Sequence, residues 1–135
     1  MRISSPIHGY RKISNDNNSK YVVQLNNVNV ASSVIQCDHM RYMNIHIGKY
    51  NDVFNRIEAQ LKEKINGSIH VRANNVLFVK LPFRYGRYQI RYQGLSSSED
   101  FTIGKIINCQ IELCGVKYLN DIYTCCFKLV EFEAI

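Results

Sequence analysis

Ile107-Asn108-Cys109-Gln110-Ile111-Glu112-Leu113-Cys114 alternates apolar and polar side chains at every step. That period of two belongs to a β-strand with one face in a core and the other toward water. Asn120-Asp121 supplies a reversal, because both residue types tolerate the left-handed backbone a tight turn needs, and Ile122 to Phe132 returns as a second long strand. The carboxyl-terminal third therefore reads as a long hairpin, and the rest of the chain has to be reconciled with it in one core.

Upstream of the hairpin, residues 1–19 are polar and read as a flexible leader. In Lys20 to Val30, β-branched and aromatic residues alternate with amides, the pattern of a bent strand. Val34 to Cys37 and Arg41 to Ile47 add one or two strands, with Tyr42, Asn44 and His46 on one face and Met43, Ile45 and Ile47 on the other. From Asn51 the period becomes helical: Val53, Phe54, Ile57, Leu61 and Ile65 make an apolar stripe, Asn51 or Asp52 is placed to cap its start, and Asn66-Gly67 its end. Ser68 to Arg72 and Val76 to Lys80 flank Asn74-Asn75 and read as a second hairpin, and after Pro82 the segment 83–93 reads as a further strand ending in the loop 94–98.

Between Glu63 and Glu99 there is no acidic residue, while Lys64, Arg72, Lys80, Arg84, Arg87 and Arg91 equal in number the formal net charge of +6. Within that stretch Phe83-Arg84-Tyr85-Gly86-Arg87-Tyr88-Gln89-Ile90-Arg91-Tyr92-Gln93 interleaves guanidinium groups with rings. Guanidinium pairs with phosphate and rings stack on unpaired bases, so the segment has the composition of a surface for single-stranded nucleic acid. Tyrosine and arginine are also at home on an exposed strand and at protein interfaces, and an assembly protein that self-associates is the alternative reading.

A chain of 135 residues with 46% hydrophobic content closes one core rather than two, giving a single domain over 20–135. The amino terminus holds no apolar stretch of signal-peptide type, no apolar run is long enough to cross a bilayer, and five cysteines at irregular positions do not form a secreted disulfide framework. These features lead us to expect an intracellular protein of the cytoplasm or nucleus, with no membrane partner, and the sequence pI of about 9.1 favours a polyanion.

Many short strands with one helix are best accommodated by a mainly β, OB-fold-like architecture, a small closed or partly open β-barrel, since curling removes exposed edges. The run from Gly104 to Tyr123, leading to Phe127-Lys128-Leu129-Val130-Glu131-Phe132, resembles the closing strands of single-stranded DNA-binding OB proteins of phages and large DNA viruses. The resemblance implies DNA coating during replication or recombination. Many members of that class end in an acidic tail that recruits partners; this chain ends at Glu131-Phe132-Glu133-Ala134-Ile135, so recruitment of that kind is not expected.

The cysteines and histidines lack the paired spacings of a structural zinc site, and no phosphate-cradling glycine loop, nucleophile elbow or carboxylate cluster is present. The chain is therefore read as a non-enzyme without cofactor or metal. The expected partner is single-stranded DNA, with RNA as the alternative ligand and a homo-oligomer compatible with either. Arg72, Lys80, Arg84, Arg87 and Arg91 are the candidate phosphate contacts, and Tyr85, Tyr88, Tyr92, Phe83 and Tyr42 the candidate stacking rings.

Overall fold

The long hairpin forms as its alternation requires. In the computed structural model, which describes residues 1–135, twelve strands are joined by one α-helix and two 3₁₀ turns. The first five strands are β1 (Arg2–Ile3), β2 (Tyr10–Ser14), β3 (Val22–Val30), β4 (Ile35–Cys37) and β5 (Met40–His46). A 3₁₀ turn at Gly48–Tyr50 runs into α1 (Asn51–Lys64), followed by β6 (Ser68–His70) and β7 (Val76–Lys80). Three two-residue strands come next, β8 (Phe83–Arg84), β9 (Arg87–Tyr88) and β10 (Arg91–Tyr92); a 3₁₀ turn at Ser98–Asp100 precedes the hairpin pair β11 (Ile106–Leu119) and β12 (Ile122–Ala134).

The reversal between β11 and β12 uses Asn120 and Asp121 at φ 52° and 65°, both left-handed, which matches the right-handed twist of the flanking strands. From there Leu119 pairs with Ile122 and the ladder runs back to Ile107 and Ala134, with bulges near Ile111 and Cys114. Five strands close into a ring. β3 pairs antiparallel with β5, β5 antiparallel with β7, β7 parallel with β12, β12 antiparallel with β11, and β11 antiparallel with β3. The protein is mainly β with one helix; β8 and β9 form a separate two-stranded sheet, and the other remaining strands extend or edge this ring.

Inside the ring the odd-numbered rows interlock: Met43 and Ile45, Leu77 and Val79, Ile111 and Leu113, Phe127 and Leu129 are all buried. The apolar stripe of α1 joins them through Phe54, Ile57 and Leu61, with the Phe54 ring edge-on to Phe127 at 5.9 Å. The helix start differs from the expectation for Asn51 or Asp52. Tyr50 is the N-cap residue and no side chain caps the helix, because the preceding 3₁₀ turn delivers the chain directly into it. At the other end Ile65 is extended, and the positive φ falls on Gly67, at 131°.

Three further elements depart from the sequence reading. Residues 1–19 are not a free leader: β2 pairs with β11, β1 pairs with β2, and Ile13 is fully buried. One inward side chain is enough to anchor so short a strand, and its polar neighbours face water. β6 and β7 do not form a hairpin with each other; beyond the Ala73–Val76 bridge they part, and each pairs in parallel with a different stretch of β12. Finally, 83–93 is not one strand. Tyr85 and Gly86 take φ 53° and 76° and turn the chain back on itself, so that β8 and β9 form a small hairpin before β10 joins β12.

Gly115 is the most tightly packed of the glycines. A Cβ there would lie 2.5 Å from the Arg11 carbonyl oxygen and from the Tyr10 ring, so a glycine inside β11 is what lets β2 approach. Because the obstructing atoms include backbone, Gly115→Ala is expected to destabilise the fold by about 1–3 kcal/mol, read as a lower urea midpoint at unchanged slope. An unchanged midpoint would mean that β2 is not held against β11.

Candidate nucleic-acid interface

The register that buries one face of the ring aligns a polar row on the other. Tyr42 of β5 pairs with Lys80 of β7, Lys80 with Lys128 of β12, and Lys128 with Glu112 of β11. Each lies one residue from a buried neighbour, which is what a period of two demands. Glu112 accepts an ion pair from Lys128 at 3.5 Å. Next to Lys80 on the same face, Phe78 is 50% exposed and stacks on Tyr42 with centroids 4.4 Å apart and planes 16° from parallel.

Above this row runs the segment after β7. Leu81 is buried and its amide donates to the Arg41 carbonyl at 2.7 Å, while Ile90 is buried at the far end. Between them the β8–β9 hairpin is clamped by Arg41, whose guanidinium lies 3.6 Å above the Phe83 ring and donates to the Tyr88 hydroxyl at 3.3 Å. The Gln89 amide donates to the Arg84 and Arg87 carbonyls and tightens the turn. Sheet and hairpin enclose an open groove of about 1050 Å³, beyond the roughly 300–1,000 Å³ typical of small-molecule sites. It is lined by Lys20, Arg41, Lys80, Arg84, Arg87, Arg91 and Lys128, with Glu112 as the single acid.

Most of the candidate residues meet on the groove; Tyr42, Tyr92 and Arg72 do not line it. Lys80, Phe83, Arg84, Tyr85, Arg87, Tyr88 and Arg91 are brought together on the groove. Tyr85, at the hairpin tip, is 94% exposed although its φ is positive, an unfavourable backbone conformation for a bulky residue. Arg91 also approaches Glu131, at 3.9 Å on the surface. Tyr88 and Tyr92 are half-buried: Tyr88 meets Phe101 edge-on at 5.2 Å and Tyr92 meets Phe132 at 6.4 Å, so both rings pack on the core. Tyr42 pairs with the groove residue Lys80 in the sheet and stacks on Phe78. Arg72 lies elsewhere, donating to Asn55 Oδ1 at 2.8 Å and to the Asn74 carbonyl, with its guanidinium 5.7 Å from the Phe54 ring.

Arg41, Lys20, Lys128 and Phe78 were not picked out by sequence reasoning. Lys128 could have been found by parity, since Phe127 and Leu129 flank it as inward residues. Phe78 shares parity with Lys80, but Val76-Leu77-Phe78-Val79 is apolar throughout and hides the alternation. Lys20 and Arg41 are brought to the groove only by tertiary folding.

Elsewhere the reactive side chains have local roles. Burial pushes the Cys109 and Cys125 thiols up to about 12 and Cys114 to about 11, leaving them protonated and weakly nucleophilic at neutral pH. All five cysteines are free, and no three His, Cys, Asp or Glu side chains converge. Asp100 completes a capping box with Ser97 and pairs with Lys105 at 3.3 Å; the Ser97 backbone amide holds its carboxyl below the usual range. No helix is long and apolar enough to cross a membrane. Compared with known protein families, curated proteins and solved structures, the chain matches none.

Proposed function

We propose that the protein binds single-stranded nucleic acid, DNA foremost, without strong dependence on sequence, and coats exposed strands. The observation that carries this reading is the groove: seven lysine and arginine side chains line it against one carboxylate. Closely spaced cations are costly to hold together in an isolated protein and are neutralised by a polyanion. Tyr85 and Phe78 add exposed rings at its margins, where unpaired bases can stack. The open shape suits a strand passing through rather than a small molecule enclosed.

The ring of five strands supports an OB-type architecture for the domain, a class whose strand face and adjoining loops take oligonucleotides. The second and third strands of the ring, β5 and β7, carry Tyr42, Phe78 and Lys80 on their outer face. In chain order α1 falls between those two strands, and β8 to β10 lie between β7 and the long hairpin. Assembly through copies of the chain is the second reading, favoured by the hairpin tip, where Tyr118, Leu119 and Ile122 are exposed together. Affinity for oligonucleotides should fall steeply with salt, whereas apolar association persists.

Arg84 and Arg87 are exposed and make no ion pair, so removing both tests the electrostatic part cleanly. The Arg84→Ala/Arg87→Ala protein should keep its circular dichroism and melting temperature. Its slope of log affinity against log salt for oligo-dT should shrink by about 1.4, at roughly 0.7 per lost phosphate contact. An unchanged slope with unchanged affinity would place the nucleic-acid site elsewhere or nowhere.

Tyr85 gives a sharper test because stability and binding should move in opposite directions. Tyr85→Gly removes the left-handed penalty of about 1–2 kcal/mol, offset by roughly 0.5–1 kcal/mol of added chain entropy, so thermal stability should rise slightly or hold. Oligo-dT affinity should drop by on the order of 1–3 kcal/mol for the lost stack. A variant that melts earlier but binds as well would mark Tyr85 as a structural residue.

A further inference from the structure

The acids missing from residues 64–98 reappear at one end of the long hairpin. At its base, where β11 begins and β12 finishes, stand Glu99, Asp100, Glu131 and Glu133, four of the chain's eleven acidic residues. Arg91 and Lys105 offset two of them, 3.9 Å from Glu131 and 3.3 Å from Asp100. Glu99 is exposed and unpaired, and Glu133 takes a hydrogen bond from the Asn108 amide at 2.9 Å. In a protein of net charge +6 this base is locally negative, so it repels the polyanion that the groove attracts.

The same end is apolar. Leu95, Ile103 and Ile106 are exposed there, and the two loops that carry the first two are held to strand ends. The Ala134 amide donates to Ser96 Oγ at 2.8 Å, and the Gly104 amide to the Val30 carbonyl at 2.9 Å. An exposed apolar patch with a polar rim marks an interaction surface. The opposite end of the hairpin has the complementary character. Leu119 and Ile122 pair across the turn and are both exposed. Lys117 and Arg11 border them against a single acid, Asp121, whose carboxylate accepts from the Tyr118 hydroxyl at 3.0 Å.

We infer that the hairpin tip of one copy docks on the base of the next, so that copies of the chain assemble head to tail. The inference goes beyond nucleic-acid binding and does not depend on it. β11 is 14 residues long, which at about 3.3 Å per residue sets tip and base roughly 40 Å apart. The two ends of one molecule therefore do not meet, and their contact joins different copies. Base against base would oppose carboxylates, and tip against tip would oppose Lys117 and Arg11 to their own kind; tip against base pairs unlike charges around apolar centres. A contact between two different surfaces repeats, giving an open filament or a closed ring in place of a two-fold dimer.

The test needs no nucleic acid. Nuclease-treated full-length protein is followed by sedimentation velocity from micromolar to near-millimolar concentration, as wild type, as Leu119→Glu at the tip and as Ile103→Lys at the base. Both substituted positions are exposed, and circular dichroism checks that each variant folds. The wild type should form species larger than a dimer as concentration rises. Each variant alone should stay monomeric, because every contact needs one intact tip and one intact base. An equimolar mixture of the two variants should restore a single contact and stop at the dimer. A wild type that stays monomeric or stops at a dimer overturns the inference, as does either variant that assembles alone or a mixture that stays monomeric. Oligo-dT binding by the monomeric variants would leave the groove reading standing whatever the assembly result.

Discussion

The parallel contact of β7 with β12 spans only two paired positions, Val79 with Phe127 and Lys80 with Lys128, yet it is what closes the ring. On its other sides each strand is held by antiparallel pairing, β7 to β5 and β12 to β11. Val79 and Phe127 are both buried. A slip of one residue in β7 would send Lys80 into the core and expose Val79, and the same slip in β12 would do so to Lys128 and Phe127. Burying either ammonium group without a partner costs more than the two-residue ladder supplies in hydrogen bonds. The alternation of lysine with apolar residues on both strands thus fixes the register, even where the ladder is short.

That parity also builds the outer row. Because Val79 must point inward, Lys80 must point outward beside Lys128, and the two cations are tolerated there through solvent and through Glu112. The segment after β7 is then drawn across the row by the burial of Leu81 and Ile90 at its two ends. Arg41 completes the arrangement. Its guanidinium is engaged over the Phe83 ring and with the Tyr88 hydroxyl, so this cation serves the wall of the groove, whereas Arg84 and Arg87 project from the hairpin and are unpaired.

Where alternation was clean, the sequence was a sufficient guide. The β11–β12 hairpin, its Asn120-Asp121 turn, the two faces of β5 and the stripe of α1 stand where the periodicity puts them. The elements that departed did so for identifiable reasons. Tyr10 to Ser14 offers a single buried position, Ile13, too little for a periodic signal. β6 reads like the partner of β7 because parallel pairing to a strand some fifty residues later leaves no local trace. The candidate site was legible as composition and not as shape: the basic and aromatic residues of 83–91 do gather on one groove, but Arg72, drawn to Asn55 on α1, does not join them.

The rings of that segment show why composition stops short. Tyr85, Tyr88 and Tyr92 each neighbour an arginine and look equivalent in one dimension, yet Tyr88 and Tyr92 rest against Phe101 and Phe132 while Tyr85 stands free. What separates them is Gly86. With glycine at the second turn position and Tyr85 at the first, both left-handed, the chain reverses within two residues and the Tyr85 ring is left at the apex. Had the segment continued as a strand, period two would have placed Tyr85 on the face of Arg87 and Gln89, half-covered by its own neighbours. The turn keeps that ring clear of the core and holds Arg84 opposite Arg87. Two guanidinium groups and one unshielded ring are thereby concentrated at one edge of a groove whose opposite side is the rigid sheet.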